Sequence, residues 1–391
     1  MYGMTSRDRV NLVFKHEEPD KVPFFEQEVA SNVASELLGR YAYTGGGGVG
    51  WRDVAELVYQ GKRDFLVDRL CADVVELHVK LNLDIVRPPM VPARDATGPK
   101  RKLDDYTYYY EDDWGFWSVS RYDPGSRMFM RVDSRLRREG ISSVDRFVQC
   151  FLDEPVEVDE SEFEAFDYIV ERLGSERFIA GGGGIAVPVE APWMQALFQK
   201  PDVVEKYLDH ALERTLRVVE LMKAHGADFI LGGGDLADNH GPMYSPRLFR
   251  RLILPRLKKL TSFCHSLGLP YVFRTDGNTW PISQELFMES GVDGYGEIDA
   301  QAGMRIGDLK RRLPKLVLWG NVDCAKTLVY GTGDDVARET LRCLEEGAPG
   351  SGYILGSSNT IHPNVPTGNL LAMIKTAHKY ASYPVKAPWR T

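Results

Sequence analysis

From about residue 165 onward, short runs of apolar residues alternate with longer stretches whose apolar positions follow a helical period. The short runs predict buried strands, and the longer stretches predict amphipathic helices. The predicted strands lie near Phe178–Ala180, Phe229–Leu231, Tyr271–Phe273, Gly294–Tyr295, Leu316–Trp319 and Tyr353–Leu355. The predicted helices cover Pro201–His225, Pro246–Leu267, Thr279–Ser290, Met304–Arg312, Gly333–Glu346 and Thr367–Tyr380.

Two earlier apolar runs, Val22–Phe25 and Asp84–Val86, would bring the number of strands to eight. Strands that alternate with helices at this spacing indicate a parallel sheet, and eight such units favour a closed barrel. An open dinucleotide-binding sheet would instead place a Gly-x-Gly-x-x-Gly turn after its first strand. We therefore expect an α/β fold, a single (β/α)8 TIM barrel over residues 1–391 with an N-terminal helical extension.

Residues 95–145 interrupt this alternation. The aromatic run Tyr106–Tyr110, the acidic Glu111–Asp113 and the aromatic Trp114–Trp117 together predict a β-hairpin with an acidic turn. We expect it to be an insertion after the second barrel strand, over the mouth of the barrel. The alternative is a hydrophobic cover that packs on a helix.

The composition narrows the class of protein. With 43% hydrophobic and 27% charged residues the chain is ordinary for a globular protein, and its net charge of -8 argues against a nucleic-acid partner. No apolar stretch approaches the ~20 residues that span a bilayer, and residues 1–9 carry no apolar signal segment. The five widely spaced cysteines indicate reduced thiols. We expect a cytoplasmic protein, without a membrane partner, that could form a homodimer.

Polar side chains follow the predicted strands where each strand ends. Because the carboxyl ends of barrel strands all face one mouth, these side chains should converge there. Carboxylates and imidazoles in one place suit metal ligation or general acid–base catalysis. The set comprises Asp235, Asp238, Asn239, His240, Arg274, Asp276, Asn278, Glu297, Asn321, Asp323, Cys324, Ser357, Ser358, Asn359 and His362.

Some of these residues have an equally simple structural explanation. His240 could be a loop histidine that caps the backbone, and His362, which precedes Pro363, could simply close its loop. Tryptophans expected near the mouth could line a site for an aromatic ligand, although each one alone is more often part of a core. These are Trp114, Trp117, Trp193, Trp280 and Trp319.

At these residues the chain resembles the uroporphyrinogen decarboxylase superfamily, and within it the corrinoid-dependent methyltransferase branch. The likeness extends from roughly residue 165 to residue 382 and implies a single barrel with its active site at the C-terminal mouth. The matching segments are 242–255, 268–278, 303–309, 320–323 and 352–366.

Two departures from the family pattern refine this resemblance. The heme-pathway decarboxylases carry an Arg-Gln-Ala-Gly-Arg motif near the N-terminus, whereas this chain has the acidic stretch Glu26–Ser31, which disfavours a porphyrin substrate. Thiol-methylating members hold zinc with His-x-Cys, Glu and Cys. Here the corresponding positions are Arg274-x-Asp276, Glu297 and Asn359. A zinc ion would therefore need the harder ligands Asp276, Glu297 and His240.

The resemblance thus implies the O-demethylase component of a methyltransferase system. Its small-molecule methyl donor would be a methylated compound, best an aromatic methyl ether, and its acceptor the cobalt of a corrinoid (cobalamin) on a partner protein, since the chain has no Asp-x-His-x-x-Gly segment. The expected catalytic residues are Glu297, Asp276, His240 and Arg274. The expected substrate-binding residues are Asp238, Asn278, Asn321, Asp323, Trp193, Asn359 and His362.

Three alternatives stay open on the sequence. The chain could be a metal-free decarboxylase of a small acid or of a uroporphyrinogen-like compound. It could be a methyltransferase of the methylamine or methanol type. It could also be a binding module without catalytic activity.

Overall fold

The computed structural model describes residues 4–385. Its central feature is a seven-stranded parallel sheet in which each strand pairs with the next one along the chain. The chain also forms a four-stranded antiparallel sheet, β2 to β5. The strands are β1 (Ile85–Val86), β2 (Arg101–Asp104), β3 (Thr107–Glu111), β4 (Trp117–Asp123), β5 (Met128–Ser134), β6 (Phe178–Gly182), β7 (Phe229–Gly233), β8 (Tyr271–Arg274), β9 (Gly294–Gly296), β10 (Val317–Val322) and β11 (Tyr353–Ser357).

Helices connect the strands and cover the parallel sheet. The α-helices are α1 (Ser6–Phe14), α2 (Ser31–Leu38), α3 (Gly47–Tyr59), α4 (Arg63–Leu81), α5 (Arg135–Glu139), α6 (Val144–Leu152), α7 (Glu164–Leu173), α8 (Ala191–Gln199), α9 (Pro201–Ala224), α10 (Pro246–Leu248), α11 (Leu254–Ser266), α12 (Ile306–Arg312), α13 (Thr327–Tyr330), α14 (Gly333–Gly347) and α15 (Thr367–Tyr380). Short 3-10 turns lie at Gly140–Ser143, Glu160–Phe163, Trp280–Ile282 and Ala300–Ala302, and π-helical turns at Phe249–Ile253 and Gln284–Glu289.

Residues 23–25 link the two edges of the parallel sheet. Phe24 forms a parallel bridge with Leu355 of β11, and its carbonyl accepts a hydrogen bond of 2.9 Å from the backbone N–H of Asp84, directly before β1. The predicted strand Val22–Phe25 is thus reduced to an isolated bridge, because Pro23 has no backbone N–H to extend a ladder. The prediction of a parallel α/β fold of TIM-barrel type is confirmed, and the predicted eighth strand is shorter than expected.

Apolar side chains fill the interior of the barrel below the mouth. Phe178 stacks on Phe229 with ring centroids 5.7 Å apart, and Trp319 packs against Phe25 at 4.9 Å. Helix α1 closes the N-terminal end, where Val10 and Val13 join this cluster and the backbone N–H of Arg7 bonds to the carbonyl of Glu176. The other members are Ile85, Ala180, Leu231, Val272, Val317 and Ile354.

The insertion after β1 is larger than the predicted hairpin. The hairpin corresponds to β3 and β4, but β2 and β5 extend it on both sides into the antiparallel sheet. The prediction of a hairpin alone was therefore wrong, because β2 is highly charged and β5 leaves Met130 and Val132 exposed, so neither shows the alternation of a half-buried strand. The sheet reaches the loop after β11, where Arg127 donates a hydrogen bond of 2.9 Å to the carbonyl of Pro363.

The sequence predicts no segment that spans a membrane, and the length and hydropathy of the helices test this prediction. Between residues 4 and 385, no helix combines the length and the apolar character that crossing a bilayer requires.

Candidate functional site

Glu297 occupies the centre of the polar residues at the mouth. It follows β9 directly, is 2% exposed, and has a backbone φ of 61°, in the left-handed region that non-glycine residues rarely adopt. Its Oε1 accepts hydrogen bonds from Nη1 of Arg274 at 3.1 Å and from Nε2 of Gln27 at 2.6 Å. The carboxylate is therefore held in one orientation by a cation and an amide.

Gln27 connects Glu297 to the predicted Asn359 and to Arg87, and sequence reasoning had placed neither Gln27 nor Arg87 in the site. Its Nε2 also donates to the carbonyl of Asn359 at 3.2 Å, and its Oε1 accepts from Nη1 of Arg87 at 3.2 Å. Arg87 follows β1, just as Arg274 ends β8. A polar residue at the end of a short apolar run was the signal that could have identified Arg87.

Asp276 lies next to this cluster and has a raised pKa. Burial raises the pKa of its carboxyl to about 6, and the negative charges of Glu297, Asp235 and Asp299 add to the shift. Its contact to Nδ2 of Asn359 is long, at 3.5 Å. Asp276 can therefore hold a proton close to neutral pH, which is the property that a general acid needs.

Arg274 retains hydrogen-bonding capacity that no neighbour uses. Its Nη1 binds Glu297, whereas its Nε is buried and has no partner among residues 4–385. A buried donor without a partner is unfavourable, and ligand atoms commonly supply the missing acceptor. Arg274 is thus suited to contact a bound molecule.

Two glutamates of the acidic stretch also lie near the mouth. Both oxygens of Glu26 accept hydrogen bonds from Ser357, and complete burial raises the pKa of this carboxyl to about 8. Glu28 accepts a bond from the backbone N–H of Gly47, and burial likewise raises its pKa. Sequence reasoning used this stretch only as evidence against a porphyrin substrate and did not predict that its side chains reach the site.

The loop after β7 is exposed and held mainly by its own backbone. Oδ1 of Asp238 accepts hydrogen bonds from the N–H groups of His240 at 2.7 Å and Gly241 at 3.1 Å, and these bonds lower the pKa of Asp238. Asn278 donates its backbone N–H to the carbonyl of Asp238 and accepts from the N–H of Trp280 at 3.1 Å. Asp238 and Asn278 therefore maintain loop shape, as sequence reasoning had considered for His240.

This loop nevertheless borders Asp276. An open depression of about 430 Å³ is lined by Asp238, His240, Asp276 and Asp299, among others. The depression gives solvent and small molecules a route to the Asp276 side of the cluster.

The predicted zinc ligands do not form a metal site in the part of the chain that the structure describes. Across residues 4–385, no three His, Cys, Asp or Glu side chains are grouped so that they could hold a metal ion. Glu297 is bonded to Arg274 and Gln27, while His240 is exposed on its loop. The set Asp276, Glu297 and His240 therefore does not fit a resident zinc ion.

Two predicted residues, Asn321 within β10 and Asp323 directly after it, bond to other parts of the fold. Asn321 accepts a hydrogen bond from the thiol of Cys343 on α14, at 3.4 Å, and so contributes to packing between sheet and helix. Asp323 accepts from the backbone N–H groups of Ala325 at 2.8 Å and Lys326 at 2.9 Å, which forms the turn before α13. The structure does not bring either side chain to Glu297.

Trp193 and His362 also have structural surroundings. Trp193 is buried, 1% exposed, and packs on Tyr207 with ring centroids 4.5 Å apart. Nδ1 of His362 accepts from the N–H of Asn364, so its Nε2 donates to the carbonyl of Cys324 at 2.9 Å. Trp193 therefore belongs to the core, and His362 closes the loop after β11.

The fold and the residues around Glu297 define a barrel protein with a polar site at its mouth. The family model described as Uroporphyrinogen decarboxylase (URO-D) matches residues 189–380. Over that segment, just under half of the chain, the protein is similar to this family, which agrees with the resemblance seen in the sequence motifs.

Curated relatives with the name uroporphyrinogen decarboxylase are also similar to this chain. A uroporphyrinogen decarboxylase of Syntrophotalea carbinolica is 23% identical over 212 residues, 54% of this chain and 55% of that protein. One of Thioalkalivibrio sulfidiphilus is 24% identical over 189 residues, 47% of this chain and 50% of that protein. The chain spans about half the length of the curated relatives that it matches.

A solved structure described as a methyltransferase from Methanosarcina mazei has a similar fold over nearly its whole length. The TM-score is 0.64 at 22% identity, with 96% of this chain and 99% of that chain covered. At this identity the likeness establishes the shared fold.

Proposed function

We propose that the chain is a methyltransferase that removes the methyl group of an aromatic methyl ether and passes it to a corrinoid carried by a partner protein. The observation that carries the proposal is the pair formed by Asp276, whose pKa is about 6, and the neighbouring Glu297, fixed by Arg274 and Gln27. Asp276 can donate a proton while the carboxyl group of Glu297 is held in one orientation by its two hydrogen-bond donors.

This arrangement matches the chemical difficulty of the reaction. The bond between methyl carbon and ether oxygen must break, and phenoxide is a poor leaving group. A proton from Asp276 to the ether oxygen would give the neutral phenol and stabilise the transition state. A reduced corrinoid, when bound on its partner, supplies the nucleophile that accepts the methyl group. Arg274, through its unpartnered Nε, would position the substrate.

A decarboxylase is the second candidate. The matching family model and the curated relatives are named for uroporphyrinogen decarboxylase, and the mouth contains the cations Arg87 and Arg274 that an acidic substrate would need. The stretch Glu26–Ser31, which stands where the heme-pathway decarboxylases have their arginine motif, provides no cations for a substrate with many carboxylates. The solved methyltransferase with the same fold supports the first candidate.

A methyl-transfer screen tests the proposal. The purified chain is incubated with free cob(I)alamin and with methoxyarenes, methylamines or methanol, and the methylcobalamin spectrum is followed. We expect methylcobalamin to appear with methoxyarenes and to depend on Glu297. Carbon dioxide release from an aromatic acid without methyl transfer would contradict the proposal and favour the decarboxylase.

Gel filtration tests the partner separately. Because the sequence has no Asp-x-His-x-x-Gly segment, the purified chain should elute without cobalamin. Stoichiometric cobalamin that stays with the chain through the column would refute the need for a partner.

A further inference from the structure

A cavity of about 270 Å³ lies beside the acidic cluster. Val74 and Leu77 of α4 and Met222 of α9 give it apolar walls, and Gln27 and Arg87 contribute polar ones. Since Gln27 also bonds to Glu297, the cavity adjoins the candidate catalytic residues. Sites for drug-sized ligands occupy roughly 300–1,000 Å³, so this one suits a ligand with a single ring.

Arg87 is the cation in this cavity, and no carboxylate among the described residues bonds to it directly. Its one hydrogen bond goes to Oε1 of Gln27 at 3.2 Å, and it forms no salt bridge with any residue between 4 and 385. Burial, followed by the positive charge of Arg274, lowers the pKa of Arg87. The nearby negative charges of Glu28 and Glu297 offset this shift only in part, so a bound anion that bonds directly to the guanidinium would be favourable.

The other titratable groups on the cavity wall, Glu28 and His78, do not supply an anion that bonds to Arg87. Glu28 lines the same cavity, but its carboxylate accepts the backbone N–H of Gly47 and does not contact Arg87. His78 donates Nδ1–H to the carbonyl of Val74, and burial lowers its pKa to about 4, so it is neutral at pH 7. The other lining residues, among those that the structure describes, are uncharged.

We propose that this cavity binds the carboxylate and ring of a small aromatic acid, with the carboxylate on Arg87 and the ring against Val74, Leu77 and Met222. A ring held in this way directs its methoxy substituent past Gln27 to Glu297 and Asp276. The inference rests on the proposed function for the identity of the methoxy group, and it narrows the substrate to methoxybenzoates. Arginine suits this task because its planar fork matches a carboxylate.

Calorimetric titration of the full chain with 4-methoxybenzoate and with uncharged methoxybenzene tests the proposal. The acid should bind at least tenfold more tightly than the uncharged ether. Arg87→Gln should weaken the binding of 4-methoxybenzoate by roughly tenfold to a hundredfold, the range for a hydrogen bond to a charged group. The affinity of the Arg87→Gln variant for methoxybenzene should equal that of the wild type. Arg87→Lys, which keeps the charge and loses the fork, should give an intermediate affinity.

Arg217→Gln is the matched control, since Arg217 is exposed on α9, pairs with Glu220 and does not line the cavity. It should bind 4-methoxybenzoate like the wild type. If Arg87→Gln does not fold, the comparison of the two ligands on the wild-type protein decides. Equal affinity for both ligands, or unchanged affinity in a folded Arg87→Gln variant, would overturn the inference.

The outcome also separates this inference from the proposed function. Tight, Arg87-dependent binding of 4-methoxybenzoate without methyl transfer would refute the methyltransferase proposal and leave the cavity proposal standing. Methyl transfer from methoxybenzene and from 4-methoxybenzoate with equal kcat/KM, unaffected by Arg87→Gln, would refute the cavity proposal alone.

Discussion

The interior of the barrel and its mouth differ sharply, although the same chain segments build both. Side chains two positions apart on an extended strand lie on one face, separated by about 6.6–6.8 Å. In three places an apolar residue of the core is followed, two positions later, by a polar residue of the mouth. The pairs are Phe25 and Gln27, Ile85 and Arg87, and Val272 and Arg274. The core and the candidate site are thus only two residues apart along the chain. Substitutions in the core should change stability, whereas substitutions at the mouth should change activity.

The largest effect is expected in the interior. Phe229 is 1% exposed and packs on Phe178 and Phe14, each with a centroid distance of 5.7 Å. Phe229→Ala should lower the free energy of unfolding by about 3–5 kcal/mol, because the cavity it leaves adds to the lost burial. Chemical denaturation measures the change. A loss below about 1 kcal/mol would show that this cluster does not support the barrel.

At the mouth, Glu297→Gln should instead remove activity. We expect methyl transfer to fall by about a hundredfold or more, the order lost when one acid–base or charge-stabilising group is removed. The melting temperature should stay near that of the wild type, because residues at the rim of a barrel serve function more than packing.

Glu220→Gln on α9 is the matched control for this prediction, since Glu220 is exposed and pairs only with Arg217 among the described residues. It should retain wild-type activity and stability. A Glu297→Gln variant with full activity would move the chemistry to another part of the mouth.

Much of the fold could be predicted from the sequence because its signals are local. The runs at Phe178–Ala180, Phe229–Leu231 and Tyr353–Leu355 lie within strands of the parallel sheet. The segment Val22–Phe25 was only in part predictable, since its pairing depends on the distant Leu355 and Asp84. Strand β5 was missed because its exposed apolar residues resemble no standard pattern.

The candidate site was less predictable, since position at a strand end does not determine where a side chain points. Glu297, Arg274, Asp276 and Asn359 were placed at the mouth by sequence, and the structure brings them together through Gln27. Asn321 was placed there by the same argument, but it bonds to Cys343 on α14. Such orientations depend on the packing of neighbouring elements, which no local pattern records.

A third prediction concerns the pH dependence of the mouth. If Asp276 donates the proton, methyl transfer should decline as pH rises through about 6, since the protonated carboxyl is lost there. Asp276→Asn should lower turnover by about a hundredfold and abolish this pH dependence. A pH–rate profile of kcat/KM for both proteins is the measurement. An unchanged profile in the variant would assign the titration to another group.

The titration of the same carboxyl should also affect the stability of the protein, over the same range of pH. Its pKa is raised in the folded state from 3.8 to about 6, so its favourable contribution is complete below pH 3.8 and is lost as pH rises through about 6. Above that range the buried charge opposes folding. Asp276→Asn should therefore unfold at an equal or higher denaturant concentration than the wild type at pH 8.

The smallest effect is expected for His240, on the outer edge of the mouth. Its side chain is exposed, and the bond that fixes its position is made by its backbone N–H to Asp238. Because exposed substitutions away from special features change free energies by about 0.5 kcal/mol or less, His240→Gln should change kcat/KM by about twofold at most. The backbone bond to Asp238 persists in the variant, so the loop keeps its shape. A loss of a hundredfold, together with loss of bound metal by elemental analysis, would instead restore His240 as a ligand beside Asp276 and Glu297. In that case the loop after β7 must move toward Asp276 and Glu297, and it would belong to the functional site rather than to the outer surface.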